Sequence, residues 1–398
     1  MLISGIISEY NPFHKGHQYQ INKCRELGAT HIVAAMSGNF VQRGEPAIVD
    51  KWSRSRCALL SGADLVIEIP LVWSLSSAEG FARGGVELLN GLGCVDKLCF
   101  GSETADLEAL KALADAAVMP ETVEKTMQYL NKGSVSYPTA RQKAIADVCG
   151  KELASLLENP NDILGVEYIK ALNAIGSNIT PNPIKRIGPD HDAKHVHEDF
   201  LSASQIRKHI MNGEYGCFDY VPPEVDEIIN TQMGLGKAPV SLSEIETSIL
   251  TKLRVMDTYT IKNAPDVSEG LENRILNCVK SSRTIEELYD KIKTKRYAHS
   301  RIRRIIMALF LDIKSSDFRS TPPYIRVLGF NERGQEILKK AKQTATLPII
   351  TKTTQIKSLD DYAQRIFSLE CASTDIYTLA MPTTLPCGME MTENVVRV

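Results

Sequence analysis

No apolar run in the 398-residue sequence reaches the roughly 18 residues that a membrane-spanning helix needs. Even the most apolar stretches, residues 65–73 and 305–311, stop well short of that length. No secretory signal pattern opens the chain, so we expect a cytoplasmic protein with no membrane partner and no obligate protein partner. A charged fraction of 24% beside 43% apolar residues excludes disorder over the whole chain.

Cysteine pairs at metal-binding or redox spacing are also missing. The nine cysteines are scattered, and the closest two, Cys94 and Cys99, do not form a C-x-x-C pair. This spacing disfavours zinc ribbons and thioredoxin-like sites, and an odd count is typical of reduced, mostly buried thiols. A net charge of −2 gives no indication of a polyanionic partner from the overall composition.

What the sequence does contain is a series of short apolar strands separated by helical segments in its first hundred residues. The strand candidates are continuous apolar runs, as in strands that are buried on both faces of a parallel sheet; they are residues 2–8, 31–36, 64–69 and 95–100. This alternation predicts an α/β fold, a doubly wound parallel-sheet domain of the Rossmann-like kind, over residues 1–214.

The second half of the chain has a different pattern. After Pro222-Pro223 the segments up to about residue 313 are typical of helices, and residues 325–351 suggest a small α/β end-piece. We therefore expect residues 215–398 to form a mostly α-helical C-terminal domain that ends in this α/β piece.

The strongest chemical pattern is NPFHKGH, residues 11–17, directly after the first strand candidate. An H-x-G-H element there places His14 and His17 at the carboxyl end of a parallel strand, where ligands bind in open α/β sheets. It also places them at a helix start, whose free N–H groups attract phosphate, and two histidines can donate to phosphate oxygens. The alternative is a pair of surface histidines on a first helical turn.

A second pattern, SASQIR at residues 202–207, follows the last strand candidate. The hydroxyls of Ser202 and Ser204 would cap a helix and face the same phosphate pocket. Arg207 lies one turn further and can reach β- and γ-phosphates. Alone, this pattern is typical of an ordinary capped helix, so its meaning depends on the H-x-G-H element in the same domain.

With both patterns in view, the sequence resembles the HxGH nucleotidyltransferase superfamily, which joins ATP to an acceptor with loss of pyrophosphate. The stretches EYNPFHKGH, MSGNFVQRGEPAIVDKW, GADLVIEIP, FGSE and NDILGVEYIKAL resemble, more closely, the bacterial tRNA(Met) cytidine acetate ligase family. The resemblance implies an ATP-dependent ligase that activates acetate as acetyl-adenylate. The activated acetyl group then passes to the N4 amine of the wobble cytidine in elongator tRNA(Met), forming N4-acetylcytidine.

The resemblance also implies which residues bind ATP. The phosphate chemistry is assigned to His14, His17 and Arg207, and Asp162 stands where some family members have Asn. The expected ATP-binding residues are Ile7, Ser8, Glu9, Tyr10, Asn11, Pro12, Phe13, His14, Lys15, Gly16, His17, Gln18, Tyr19, Gln20, Gly101, Asp162, Arg186, Ile187, Ser202 and Ser204. Mg²⁺ is expected with ATP, although no carboxylate cage for it is visible and no protein metal site is predicted.

Two further groups of residues have alternative interpretations. A histidine-rich loop fits no standard zinc spacing, so a solvated loop is favoured over a metal site; its residues are His191, Asp192, His195 and His197. Arg43 and residues 50–52 follow the second strand candidate. They would either contact acetate or the cytidine, with Trp52 stacking on a base, or form a polar loop with a packed Trp.

A basic segment in the second half is the candidate for tRNA binding. Seven Lys and Arg residues lie within residues 291–304 with no acidic residue among them. Cations in the first turn of a helix oppose its dipole, and a bound polyanion would offset that cost, whereas a solvated helix face is the alternative. The residues expected to contact tRNA are Lys291, Lys293, Lys295, Arg296, Arg301 and Arg304.

Two other functions stay open at this point. A small-molecule adenylyltransferase would share the H-x-G-H site but would not need the basic second half of the chain. A non-catalytic RNA- or nucleotide-binding protein would release no pyrophosphate with any acceptor.

Overall fold

The computed structural model describes residues 1–133, 135–187, 200–268 and 270–398. Its strands are β1 (Ile3–Ser8), β2 (His31–Ser37), β3 (Phe40–Val41), β4 (Glu45–Pro46), β5 (Leu65–Ile69), β6 (Lys97–Ser102), β7 (Thr180–Lys185), β8 (Ile325–Phe330), β9 (Ile349–Ile350) and β10 (Val396–Arg397).

The helices alternate with these strands in the first third of the chain and dominate the rest. They are α1 (Lys15–Glu26), α2 (Lys51–Leu60), α3 (Leu71–Ser74), α4 (Ala78–Gly91), α5 (Leu107–Val118), α6 (Pro120–Asn131), α7 (Tyr137–Cys149), α8 (Lys151–Ser155), α9 (Pro160–Ala174), α10 (Ala203–Met211), α11 (Pro223–Gly234), α12 (Glu246–Arg254), α13 (Thr258–Lys262), α14 (Leu271–Ser281), α15 (Ile285–Ile292), α16 (His299–Phe310), α17 (Glu332–Thr344), α18 (Asp361–Leu379) and α19 (Met389–Thr392). Among the described residues no helix is both long and apolar enough to cross a bilayer.

The main sheet has the strand order β10-β8-β5-β2-β1-β6-β7, with β9 beside β8. β1 lies between β2 and β6 and pairs in parallel with both, and the β2–β5 and β6–β7 pairs are parallel as well. The predicted α/β sheet is therefore confirmed. The carboxyl ends of β1, β2 and β6 meet at one edge, which is where ligands bind in sheets of this kind.

The strands of the C-terminal end-piece join the main sheet. β8 pairs antiparallel with β5, and β9 and β10 pair with β8, so these strands extend the first sheet instead of forming a separate one. β8 is buried along its whole length, and on it Gly329 allows close packing, because an added Cβ would lie 2.7 Å from Ser55 Oγ. The sheet is consequently mixed at this edge and contains strands from both sides of residue 214.

Apolar residues cover both faces of the sheet. Alternate strand residues belong to two buried clusters, with Ile3 and Leu65 in one and Ile6 and Val66 in the other. Ile305, in the helical region, belongs to the same cluster as Ile3. The helical region thus shares a core with one face of the sheet, and the division of the chain at residue 214 stays a proposal about function.

A buried cluster of charges joins the beginning and the end of the chain. Lys51 Nζ lies 2.5 Å from Glu68 Oε1 and 2.8 Å from Glu390 Oε1, and Arg326 on β8 pairs with both carboxylates. Burial, together with the charge of Glu68, raises the pKa of the nearby Glu370 to about 8. Glu370 is therefore mostly protonated at neutral pH, which leaves two cations facing two carboxylates.

Removing one cation from this cluster should destabilise the fold. We expect Arg326→Met to lower the free energy of unfolding by about 3–5 kcal/mol, because buried carboxylates lose a partner that they cannot replace with water. Urea titration followed by circular dichroism measures the change. The exposed Arg333→Met variant, on α17, is the control and should stay within about 0.5 kcal/mol of the parent protein. A loss below about 1 kcal/mol for Arg326→Met would contradict this account.

Candidate active site

A buried arginine fixes the point at which the chain leaves β1. Arg54 on α2 is only 1% exposed. Its guanidinium donates to the backbone carbonyls of Glu9 (2.6 Å), Ser37 (3.1 Å), Val49 (2.9 Å) and Gly38. Two of these carbonyls lie at or just beyond the carboxyl end of β2 and one lies just after β1. Arg54 therefore ties both strand ends to the start of α2.

The two predicted histidines form a reciprocal cap at the start of α1. His14 Nδ1 accepts a hydrogen bond from Gly16 N at 3.0 Å, and His17 Nδ1 accepts one from His14 N at 3.2 Å. The rings stack with their centroids 3.7 Å apart. A ring nitrogen that accepts carries no proton, so each neutral ring has its proton on Nε2. Both residues thus present an Nε2–H donor beside the free amides of the helix start.

The surroundings of these rings keep them neutral. Burial, followed by the charges of Arg186 and Arg207, lowers the pKa of His14 from 6.5 to about 3. Burial, followed by His14 and Arg186, holds the pKa of His17 well below 6.5. Two imidazolium rings stacked this closely would repel each other, so the arrangement favours a pair of neutral donors with arginines supplying positive charge.

A cavity of about 220 Å³ opens beside the two rings. A narrower cleft continues from it between α1 and the chain after β7. Of the expected ATP-binding residues, those that line the cavity or the cleft are Ile7, Ser8, Glu9, Tyr10, Asn11, His14, Gly16, His17, Tyr19, Gln20, Gly101, Arg186, Ile187, Ser202 and Ser204, and Arg207 lines the cavity as well. The structure thus brings together both ends of the first 210 residues, as the two sequence patterns predict.

Five expected residues lie outside this lining. Pro12 and Phe13 are buried beneath the turn, Lys15 is exposed, Gln18 lies on α1, and Asp162 is buried behind the strand end. Their contact with a nucleotide is not supported by this geometry and stays a prediction.

The carboxylate oxygens of Asp162 already have partners within the protein. Oδ1 accepts from Ser102 Oγ at 2.5 Å and from Glu103 N at 3.0 Å, and Oδ2 accepts from Asn159 Nδ2 at 2.9 Å. Asp162 therefore holds the turn after β6 from behind and does not line the cavity.

The neighbouring Asn161 lines the cavity instead and is a residue that sequence reasoning missed. Its Nδ2 donates to Glu103 Oε1 at 2.5 Å, and its Oδ1 accepts from Arg186 at 3.4 Å. The sequence did contain an indication of it, because Asn161 belongs to the NDILG stretch that also contains Asp162, at the start of α9. Gly101 lies beneath Arg186, since an added Cβ would be 3.2 Å from Arg186 Cγ. Gly101 and Asn161 together determine where the Arg186 guanidinium lies.

Arg207 already has two partners at the cavity wall. It donates to the carbonyl of Asn11 at 2.7 Å and to Glu45 Oε1 at 3.0 Å. Asn11 Oδ1 in turn accepts from Ile48 N at 2.9 Å. Arg207 therefore fixes the turn before His14 and contributes positive charge to the cavity, and its contact with β- and γ-phosphates stays a prediction.

The contacts of residues 50–52 favour the second of their two interpretations, a polar loop with a packed Trp. Asp50 caps α2 through Trp52 N at 3.0 Å and Ser53 N at 2.9 Å, Lys51 lies in the buried charge cluster, and Trp52 is 5% exposed. Arg43 differs from them, because it lines the cavity. The loop containing His191, Asp192, His195 and His197 lies outside the described residues. In the parts of the chain that the structure describes, no group of three or more His, Cys, Asp or Glu side chains is arranged to hold a metal.

The basic segment covers the end of α15 and the start of α16, and none of its residues lines this cavity. Acids outside the segment pair with part of it: Lys291 lies 2.7 Å from Glu287, and Arg304 lies 4.0 Å from Asp266, whose carbonyl accepts from Arg301 at 2.7 Å. These contacts help to offset the cost of placing cations in the first turn of α16, and they could not be seen in the sequence alone. Arg296 is half-buried. Lys293 and Lys295 are exposed, and no described carboxylate pairs with either.

Known proteins match this chain over all or nearly all of its length. The family model of the HIGH nucleotidyl transferases matches residues 1–390. Proteins named tRNA(Met) cytidine acetate ligase from Thermoanaerobacter sp. (strain X514) and Acetivibrio thermocellus are 42% and 38% identical, with 100% of both chains covered in each case.

Solved structures give the same result. Thermotoga maritima TmcAL in its apo form aligns with a TM-score of 0.95 and 33% identity over 100% of both chains. The same Thermotoga protein bound with alpha-thio ATP aligns with a TM-score of 0.93 over 100% of this chain and 99% of that one.

The depressed histidine pKa values predict how stability varies with pH. Below pH 6.5 the unfolded chain protonates its histidines, whereas His14 in the folded state stays neutral until about pH 3. The stability linked to this group is therefore present above pH 6.5 and is lost as the pH falls through that window, by up to about 1.4 kcal/mol per pH unit. His14→Asn can still cap α1 but does not titrate, so its unfolding free energy should fall less steeply.

Urea titrations at pH 6.5, 5.5 and 4.5 measure these slopes. The exposed Gln343→Asn variant on α17 removes no titratable group, so it is the control and should keep the slope of the parent protein. Equal slopes in His14→Asn and the parent would show that His14 titrates normally.

Proposed function

The chain belongs to the HIGH nucleotidyl transferase family, and within it we infer an ATP-dependent tRNA(Met) cytidine acetate ligase. The observation that carries this inference is the pair of Nε2–H donors of His14 and His17 at the start of α1, held by backbone amides inside a cavity lined by Arg186 and Arg207. The named relatives match the chain from end to end, including the helical region, which favours the ligase over a small-molecule adenylyltransferase.

We propose that the first half-reaction activates acetate in this cavity. A carboxylate oxygen of acetate attacks the α-phosphorus of ATP, the bond from that phosphorus to the bridging oxygen breaks, and pyrophosphate leaves. Acetate is already an anion, so the step needs positioning and charge stabilisation and no nucleophilic side chain. His14 and His17 donate to the departing pyrophosphate, and the helix start and the arginines offset its charge.

In the second half-reaction the activated acetyl group reaches the RNA. The N4 amine of the wobble cytidine of elongator tRNA(Met) attacks the acetyl carbonyl carbon, and AMP leaves. Residues 1–214 are proposed to hold the nucleotide, and residues 215–398 are proposed to hold the tRNA, even though one sheet contains strands from both. A cytoplasmic location fits this substrate and is part of the proposal.

Mg²⁺ is proposed to enter with the phosphates of ATP. Glu9 is the carboxylate in the cavity lining that could approach it, and its Oε1 accepts from Gln42 N at 3.0 Å. Burial raises the pKa of Glu9, and Arg207 and Arg43 oppose that shift. The ion would neutralise phosphate charge when it is bound, while the positioning is done by the histidines and the helix start.

The direct test of this function is to incubate the purified protein with ATP and labelled acetate, with and without tRNA(Met). We expect acetate-dependent pyrophosphate release without tRNA, and transfer of label to a single cytidine when tRNA is added. Pyrophosphate release without acetyl transfer would favour a small-molecule adenylyltransferase. No pyrophosphate release with any acceptor would favour a non-catalytic binding protein.

Gly16 gives a substitution that disturbs the histidines without weakening the helix. An added Cβ would lie 2.8 Å from His14 Cε1 and 3.0 Å from His14 Nδ1, so Gly16→Ala must displace that ring. Alanine is favoured over glycine in a helix by ~1 kcal/mol, so stability should not fall. Loss of one well-placed donor lowers rates by about 10²–10³. We expect a loss of this order in acetyl-adenylate formation, with an unchanged melting temperature.

The matched control is Gly234→Ala on α11, where an added Cβ meets no atom within 4 Å. Its adenylation rate should equal that of the parent protein. If the folded Gly16→Ala variant formed acetyl-adenylate at the parent rate, His14 would not have the proposed role.

The exposed lysines of the basic segment predict a salt-dependent contact with tRNA. Each phosphate contact contributes to the dependence of affinity on salt, with a slope near −0.9 for duplex DNA and a term of the same kind for RNA. Lys293→Gln/Lys295→Gln should therefore weaken tRNA binding and flatten its salt dependence, and it should not change acetyl-adenylate formation. Arg301 and Arg304 are poorer test positions, because they hold the Asp266 loop.

The measurement is tRNA affinity over a series of salt concentrations. The control removes the same charge from α17, with exposed Lys339→Gln/Lys342→Gln. If the Lys293/Lys295 variant keeps the parent slope, tRNA binds elsewhere on the protein.

A further inference from the structure

A second cavity of about 330 Å³ lies directly beyond the nucleotide cavity. It is lined by the β3–β4 hairpin, the helix α10, residues 240–242 and the helices α15 and α16, so both halves of the chain contribute to it. Ser204 and Arg207 line both cavities, which makes the two spaces neighbours across these side chains. Its volume is at the lower end of the range for small-ligand pockets, about 300–1,000 Å³.

From its position and lining we propose that this second cavity holds the acceptor cytidine, with Glu45 as the carboxylate that binds the N4 amine. The inference rests on the proposed ligase function, since it assigns a place to that reaction's second substrate.

Glu45 lines the second cavity and pairs with Arg207, which lines both cavities. Arg207 donates to its Oε1 at 3.0 Å, and no described group forms a hydrogen bond with its Oε2. The side chain is 26% exposed, so that oxygen can receive a donor from the second cavity. A carboxylate accepts well from the N4 amine of cytosine, whereas uracil presents an acceptor, O4, at the same position. Glu45 would therefore favour cytidine over uridine.

The α16 wall of the cavity carries groups that suit the rest of a nucleotide. Arg303 on α16 lines it, and its guanidinium lies 3.6 Å from the Glu286 carboxylate and 5.5 Å from the centre of the Tyr289 ring. Arg303 Nε is buried and has no hydrogen-bond partner among the described groups. The Arg303 side chain as a whole is 37% exposed, so its terminal nitrogens can meet a phosphate or ribose oxygen of the bound nucleotide, and the same helix begins in the basic segment.

The wall between the cavity and α16 is closely packed. Gly44, in the β3–β4 turn, has φ +76°, and an added Cβ would lie 2.6 Å from the backbone carbon of Arg303. The hairpin that carries Glu45 is therefore set against the helix that carries Arg303. This contact holds the two elements side by side, so the carboxylate and the guanidinium face the same cavity from adjoining walls.

The transfer step balances with these groups. The lone pair of N4 attacks the acetyl carbonyl carbon and forms the new C–N bond. The bond from that carbon to the adenylate oxygen breaks, and AMP leaves with the electron pair. The proton that the amine loses passes to the Glu45 carboxylate and then to water.

Filling the cavity tests its role without altering the nucleotide site. Met211 lines the second cavity and is 44% exposed, so Met211→Trp can occupy the space without entering the core. We expect acetyl-adenylate formation within twofold of the parent and tRNA acetylation reduced at least tenfold. Met127→Trp is the matched control, because Met127 is 51% exposed on α6 and lies outside the cavity lining. It should leave both half-reactions unchanged.

A second measurement reports the role of Glu45 through specificity. We compare the affinities for tRNA(Met) and for the same tRNA with uridine at the target position. The parent should prefer cytidine by about tenfold, and Glu45→Gln should reduce this preference to about twofold, because an amide can donate to O4 as well as accept from N4. If Glu45 were only structural, Glu45→Gln would lower the affinity for both tRNAs equally.

Normal acetylation by folded Met211→Trp, or an unchanged cytidine preference in Glu45→Gln, would overturn the proposed cavity assignment. Neither result would affect the proposed function, which fails separately if the parent protein makes no acetyl-adenylate or leaves tRNA(Met) unmodified.

Discussion

The buried guanidinium of Arg54 is the group on which the geometry of this site depends. It donates hydrogen bonds to the backbone carbonyls of Glu9, Ser37 and Gly38. These carbonyls lie at the ends of β1 and β2, where they would otherwise lack a partner. Arg54 thus holds the chain where it leaves β1, and Arg207 donates to the Asn11 carbonyl from the other side of the turn. The two arginines together restrain the backbone that leads to His14. The positions of the histidines thus follow from how backbone hydrogen bonds are satisfied at the strand ends.

The electrostatics of the site divide two tasks between different side chains. The histidines cap α1 with Nδ1, which leaves them neutral and directs their Nε2–H groups into the cavity. Positive charge comes from the guanidinium groups of Arg186 and Arg207, which line the cavity. Neutral donors fixed before substrate binds need little reorganisation, which is the property expected of groups that stabilise charge as pyrophosphate departs.

Local sequence predicted the part of the site that depends on local structure. NPFHKGH follows an apolar strand and precedes a helix, so its place at the carboxyl end of β1 could be inferred. The choice between Asn161 and Asp162 could not, because it depends on which side of α9 faces β6. The partner of β8 was also beyond local reasoning, since Ile325–Phe330 pairs with a strand about 260 residues earlier. The basic segment is a run of like charges in the sequence, but its partners are not local, since Asp266, which pairs with Arg304, lies well outside it.

The central claim is that His14 and His17 act as neutral Nε2–H donors whose Nδ1 atoms are held by backbone amides. Nitrogen-15 NMR of histidine-labelled protein tests it most directly, because the ring nitrogen shifts report both tautomer and protonation. The account predicts the Nε2–H tautomer for both residues, no titration between pH 5 and pH 8, and a change in both Nε2 resonances when ATP is added. A titration of either ring near pH 6.5, or a proton on Nδ1, would contradict it.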